Sequence, residues 1–233
     1  MSIDSRRPIH FNQAARSWKS PGTPLAELET ILGFHRQLSN SEPSRLVSLD
    51  SVAQDLGVQS VYLKDESTRL GLPSFKILGA SWAVARSVAQ KLGLPPGTTD
   101  LASIRQSLVA RSIPIVLFAA TEGNHGRAVA RMGAMLSIPV EIHVPAGTHQ
   151  IIIDLIQDEG AKVVVSTGDY DVAVRKARDN AAVQDGGILI QDCAFDAYNE
   201  IPQVSDMSFS VPIALLLYVA RWLMHPPVDC RRL

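Results

Sequence analysis

Two stretches of this chain carry residue types that can do covalent and acid–base chemistry. The first is Lys64-Asp65-Glu66-Ser67-Thr68-Arg69-Leu70-Gly71-Leu72-Pro73-Ser74-Phe75-Lys76-Ile77-Leu78-Gly79. Ser74 is an expected N-cap for a helix running from Phe75 to about Lys91, which places Lys76 in its first turn. A helix N-terminus is the positive end of the dipole, so the dipole and partial burial both favour the neutral amine, the form that attacks a carbonyl carbon. Taken alone, the lysine reads equally well as a solvated surface charge. The second stretch is Ala120-Thr121-Glu122-Gly123-Asn124-His125-Gly126-Arg127. It follows an apolar run and opens another helix, and its backbone N–H groups can hold an anion such as a carboxylate. A lone Gly-Asn-His-Gly is a common turn composition. A lysine crevice and an anion-binding loop in one chain form a much more specific pair.

The elements that must position them follow from hydrophobic period. Val58 to Leu63 reads as a short buried strand ending at Lys64-Asp65-Glu66. Ile115 to Ala119 and Val140 to Val144 read as strands of the buried parallel type, Ala161 to Val165 and Ile188 to Ile190 as two more. Between them lie helical patterns to about Met135, over Ile151–Gln157 and over Tyr170–Val183. Earlier, Leu25 to about Gln37 carries a helical period, Val52–Leu56 is a short helix ended by Gly57, and Ile104–Leu108 belongs to an excursion after Gly93-Leu94-Pro95-Pro96-Gly97. Residues 1–24 read as an extended arm. This alternation predicts an α/β fold with parallel strands, flanking helices and right-handed crossovers. Ligands in such sheets bind beyond the carboxyl ends of the strands.

Composition narrows the function classes. The chain has 233 residues, 46% hydrophobic and 19% charged, which describes a globular protein with one large or two small domains. A net charge of −1 gives no electrostatic reason to expect nucleic acid or an anionic membrane as partner. The two cysteines, Cys193 and Cys230, suit a reducing, cytoplasmic compartment. No histidine shows metal-ligand spacing, so no metal is expected. The apolar run Val211–Met224, broken by Pro212 and Arg221, falls short of the roughly 20 residues a membrane span needs.

On Ser74-Phe75-Lys76 and Glu122-Gly123-Asn124-His125-Gly126 the chain resembles the fold-type II pyridoxal-phosphate enzymes, the tryptophan synthase β-like superfamily. Lys64-Asp65-Glu66-Ser67, Phe75-Lys76-Ile77-Leu78-Gly79, Gly123-Asn124-His125-Gly126-Arg127 and Gln191-Asp192 bring it nearest to the diaminopropionate ammonia-lyases. The resemblance implies pyridoxal phosphate as cofactor, attached to Lys76, with Phe75 and Asn124 also contacting it. It implies a substrate carboxylate held by Thr121, Gly123 and Asn124, a small amino-acid substrate, and a family-like homodimer. Glu122 stands where the ammonia-lyases have aspartate, one methylene longer, and Asp192 matches a second family carboxylate; an acid over the α-carbon is what proton removal opposite the lysine needs. For Glu122 the bland alternative is a carboxylate stabilised by a helix N-terminus. His125 reads as a packed residue and Arg127 as an ion-pair partner.

The resemblance runs from about Leu28 to Pro202 and stops. Residues 1–77 and 167–202 are expected to form part of a large domain, 78–166 a smaller α/β domain, and 203–233 an atypical tail. The fold expected is therefore that of a truncated fold-type II enzyme. The activity expected is ammonia-lyase-like elimination on 2,3-diaminopropionate, giving pyruvate and ammonia. Serine/threonine dehydratase-like chemistry, or a truncated non-catalytic homologue, are the alternatives.

Overall fold

A four-stranded, all-parallel sheet of order β5-β4-β3-β6 carries the fold, built from β3 (Val116–Ala120), β4 (Val140–Val144), β5 (Lys162–Val165) and β6 (Gly187–Leu189). The structure is a computed structural model that describes residues 25–201 apart from positions 96, 99, 112, 196, 197, 199 and 200. The expected extended arm, the apolar run Val211–Met224 and the atypical tail lie outside the described residues.

The sheet is covered by helices on both faces. Along β3 the side chains alternate, so Leu117 and Ala119 join the large core with Val140, Ile142 and Val144 of β4, while Ala120 joins a second cluster with Ala173, Val174 and Ala177. The first face is packed by α5 (Asn124–Leu136), backed in turn by α3 (Lys76–Lys91); the second by α7 (Tyr170–Val183). Small residues let these helices come close. A Cβ at Gly133 of α5 would stand 2.1 Å from Val140 Cγ2, so no larger residue fits the contact. Trp82, Leu117, Ile142 and Ile156 are essentially fully buried, and each such side chain contributes about 1.5–3 kcal/mol through burial.

The chain order creates a crevice. From β3 it passes through α5 to β4 and through α6 (Gln150–Gln157) to β5, moving steadily outward; α7 then carries it back across the opposite face to β6, beside β3. Strand order therefore reverses between β3 and β6. The loop leaving β3 turns into α5, and a crevice lined by Thr121 to His125 and Asp192 opens at the carboxyl ends of the two strands.

One expectation fails. Val58–Leu63 is not a buried strand: the strand is β2 (Tyr62–Asp65), paired antiparallel with β1 (Arg45–Ser48), and Val58 and Leu63 are half exposed. The pair is separate from the parallel sheet. Within the described residues, no helix covers Tyr62 and Leu63 as helices cover β3, so apolarity did not translate into burial. The excursion around Ile104–Leu108 is a full helix, α4 (Leu101–Arg111), anchored by buried Leu101 and Ile104. Among the described residues no helix is long and apolar enough to cross a membrane.

Candidate active site

The lysine reaches the crevice from α3. Its helix begins at Lys76 with Phe75, not the expected Ser74, at the N-cap; the Lys76 backbone N–H nevertheless donates to Ser74 Oγ at 3.2 Å. The preceding loop is pinned by Glu66, which accepts from Arg69 Nε at 2.5 Å and Nη2 at 2.7 Å and from Ser44 Oγ at 2.5 Å. Burial works against the Glu66 charge, yet these donors hold its carboxyl below the usual range. From this anchored start the Lys76 side chain extends to Asp192, with Nζ 2.7 Å from Oδ2. The two residues are 116 positions apart in the chain.

The asparagine loop is organised by Thr121. Its Oγ1 accepts from the N–H of Gly123 at 2.9 Å and of Gly126 at 3.1 Å, while its own N–H donates to the His143 carbonyl at 2.9 Å. Of the loop N–H groups assigned to an anion, those of Thr121 and Gly123 are thus already engaged. Among the described residues, no hydrogen bond ties up those of Glu122 and Asn124. Gly126 makes the arrangement sterically feasible, since a Cβ there would meet Thr121 Cγ2 at 2.4 Å and Ile142 Cγ2 at 3.0 Å.

Lys76, Thr121, Glu122, Gly123, Asn124 and Asp192 line one cleft of about 340 Å³, a size that suits a small ligand. Phe75 is outside this lining and is 48% exposed. His125 and Tyr170 also face the cleft. The His125 ring is buried, its Nε2 lies 2.9 Å from the Ile190 carbonyl, and its Nδ1 lies 3.7 Å from Asp192 Oδ2. Arg127 is committed elsewhere, with Nη2 3.0 Å from Glu159, a carboxylate it shares with Arg131.

Burial opposes the charge on Asp192, but His125 and the Lys76 hydrogen bond hold its carboxyl below the usual range. Desolvation drives His125 itself towards the neutral ring. The Lys76 Nζ hydrogen bond is the direct contact that favours the Asp192 carboxylate. Burial also pushes the Tyr170 phenol upward, so it keeps its proton.

Tyr170 and Gln191 are the residues that reading the sequence for chemistry did not assign. Gln191 is fully buried; its Oε1 accepts from the Ala120 N–H at 2.9 Å, and its Nε2 donates to the Ala120 carbonyl at 3.2 Å and to Tyr170 Oη at 2.7 Å. One amide thus clamps the end of β3, the start of α7 and the Asp192 segment together. Only the position of Gln191 beside Asp192 hinted at this, because the partner strand is 71 residues away.

The sequence profile of the pyridoxal-phosphate dependent enzymes matches residues 39–202, most of the chain. Diaminopropionate ammonia-lyase from Salmonella typhimurium is 36% identical over 173 residues, 74% of this chain and 43% of its own length. The enzyme of that name from Escherichia coli K12 is 33% identical over 203 residues, 87% of this chain and 50% of its own. The apo crystal structure of the Escherichia coli diaminopropionate ammonia-lyase superposes with a TM-score of 0.77 at 29% identity, covering 88% of this chain and 56% of that one. The chain spans about half the length of the curated relatives it matches. A lysine poised beside a carboxylate at the switch point of a parallel sheet, a matching profile and this likeness place the chain in the family of pyridoxal-phosphate-dependent enzymes.

Proposed function

We propose that the protein takes part in an ammonia-lyase-like elimination on a small amino acid bearing a second amino group, such as 2,3-diaminopropionate, with pyridoxal phosphate as cofactor. The observation that supports this most is the charge of the cleft. Two carboxylates, Glu122 and Asp192, line it with a single lysine, Lys76. With Lys76 committed to the cofactor, both acids face the substrate, which favours one that brings a further ammonium group.

The described residues fit the cofactor at its reactive end. Lys76 reaches the cleft with 39% of its side chain exposed, and Asn124 lines the same wall. When bound, the cofactor supplies an electron sink for the carbon that loses a proton. The protein supplies the rest. Lys76 attaches the group and, once released, carries protons. The neutral Asn124 amide would hold the cofactor ring without adding charge, and the N–H groups of Glu122 and Asn124 would receive the substrate carboxylate. Asp192 or Glu122, the two carboxylates lining the cleft, would take the proton.

The test adds pyridoxal phosphate to the purified chain, reduces with borohydride and maps the labelled peptide. The label is expected on Lys76 and absent from Lys76→Ala. Pyruvate released from diaminopropionate supports the lyase; pyruvate from serine alone would make the reaction dehydratase-like. No label on Lys76 would sink the reading in favour of a non-catalytic homologue.

A further inference from the structure

His125 is the buried titratable group in the cleft wall to which the chemistry above gives no task. Its geometry fixes its tautomer. The Ile190 carbonyl, 2.9 Å from Nε2, can only accept a hydrogen bond, so Nε2 must carry a hydrogen. In the neutral ring Nδ1 is then a bare lone pair. It points at Asp192 Oδ2 from 3.7 Å, beyond hydrogen-bond reach, and that same oxygen is held by Lys76 Nζ at 2.7 Å. Two groups, one ammonium and one imidazole, therefore compete for a single carboxylate oxygen. The ammonium holds it.

We propose that His125 is a positioning residue that holds a proton for Asp192 whenever Lys76 is engaged elsewhere. Commitment of the Lys76 amine removes the donor from Asp192 Oδ2 and the positive charge that opposes protonation of the ring. The inference rests on the lyase reading for the origin of the proton. When the substrate C–H bond breaks, its electron pair stays on carbon and the proton forms an O–H bond on Asp192. Once Asp192, released by Lys76, closes the 3.7 Å gap to hydrogen-bond distance, the proton moves to Nδ1 of His125, giving an imidazolium whose Nε2–H still binds the Ile190 carbonyl, and Asp192 is again a carboxylate. The return transfer delivers the same proton. No oxidant or further reactant is needed. Asp192 and Lys76 are the charged groups that act on the ring.

A histidine that merely staples α5 to the end of β6 would carry the same hydrogen on Nε2 but would stay neutral in Lys76→Met down to acid unfolding, so the two roles separate experimentally. ¹⁵N-imidazole NMR of the full chain without cofactor, with His125 assigned by loss of its signal in His125→Gln, reads both tautomer and titration. The expected neutral form carries hydrogen on Nε2 and not on Nδ1. The pH at which the ring takes its second proton should rise in Lys76→Met and fall in Asp192→Asn. A neutral ring with hydrogen on Nδ1, or a titration that neither variant moves, overturns the proposal. So does a ring that stays neutral in Lys76→Met down to acid unfolding. If Lys76→Met does not fold, the tautomer in the unaltered chain and the Asp192→Asn shift decide. Because no cofactor is required, this outcome is independent of whether Lys76 takes the borohydride-trapped label, which scores the lyase reading separately.

Discussion

Replacing Gly126 by alanine tests the steric logic of the asparagine loop more sharply than removing any charged group. The added Cβ would lie 2.4 Å from Thr121 Cγ2, 3.2 Å from Thr121 Cβ and 3.0 Å from Ile142 Cγ2. Ile142 is fully buried in β4 and has nowhere to retreat, so Thr121 must move. Overpacking of this kind costs about 1–3 kcal/mol. Displacing Thr121 also loosens the two N–H bonds its Oγ1 accepts from Gly123 and Gly126, at about 1 kcal/mol each. Gly126→Ala should therefore destabilise the chain by about 3–5 kcal/mol in urea unfolding. Thr121→Ser removes the methyl in closest conflict and keeps the hydroxyl. By itself it costs about 1 kcal/mol for the lost buried methyl, yet in the Gly126→Ala background it should recover about half the loss. Strong non-additivity is the signature of two residues contending for one space. A single-variant cost below about 0.5 kcal/mol, or a double variant equal to the sum of the singles, would refute the packing argument.

Two further perturbations follow from buried polar groups. His35, whose Nε2 lies 3.0 Å from the Leu78 carbonyl, is pushed down to about 4 from 6.5, mainly by burial. Above pH 6.5 both folded and unfolded chains carry the neutral ring; between 6.5 and 4 only the unfolded chain takes the proton, so stability falls with falling pH, by about 3 kcal/mol in all. Denaturation of His35→Gln across this range should lack that loss, and an unchanged acid dependence would assign it to other groups. Gln191→Leu keeps the volume but strands the buried N–H and carbonyl of Ala120, which predicts a loss of about 3 kcal/mol and a Lys76 label that forms more slowly. A variant as stable as the parent would show that the amide clamp is dispensable.

How much of this was legible in the residues depends on the range of the interaction. Local period gave β4 and α7 at the bounds observed, because Val140–Val144 and Tyr170–Val183 are each held by contacts that repeat along their own element. The same reasoning failed at Val58–Leu63. Those residues have strand composition, but burial is a property of what lies opposite, and among the described residues β2 has only the strand β1 beside it. The strand β1 itself escaped notice, since Leu46 and Val47 form too short a run to declare a period. At the site, the lysine and the asparagine loop announced themselves through helix-start chemistry. Tyr170 did not, because a tyrosine opening an amphipathic helix is ordinary until Gln191 is seen donating to it.

The site residues come from four places far apart in sequence, at 76, 121–125, 170 and 191–192, and no local element holds them together. What joins them is the reversal of strand order between β3 and β6. It brings Thr121 and Gln191 to adjacent strand ends, and the Gln191 amide then fixes their separation on both edges of Ala120. Lys76 is the exception, arriving from the start of helix α3 and not from a strand end. Its placement rests on α3 packing against α5, the helix that begins with Asn124 and His125. The amine, the asparagine loop and the histidine are consequently carried by one helix pair, whereas Asp192 is carried by the sheet. The Lys76–Asp192 and His125–Asp192 distances thus report the same relation, the seating of the helix pair on the sheet. A mutation that shifts α5 on the sheet must alter both together. That coupling is what distinguishes an assembled site from a chance ion pair.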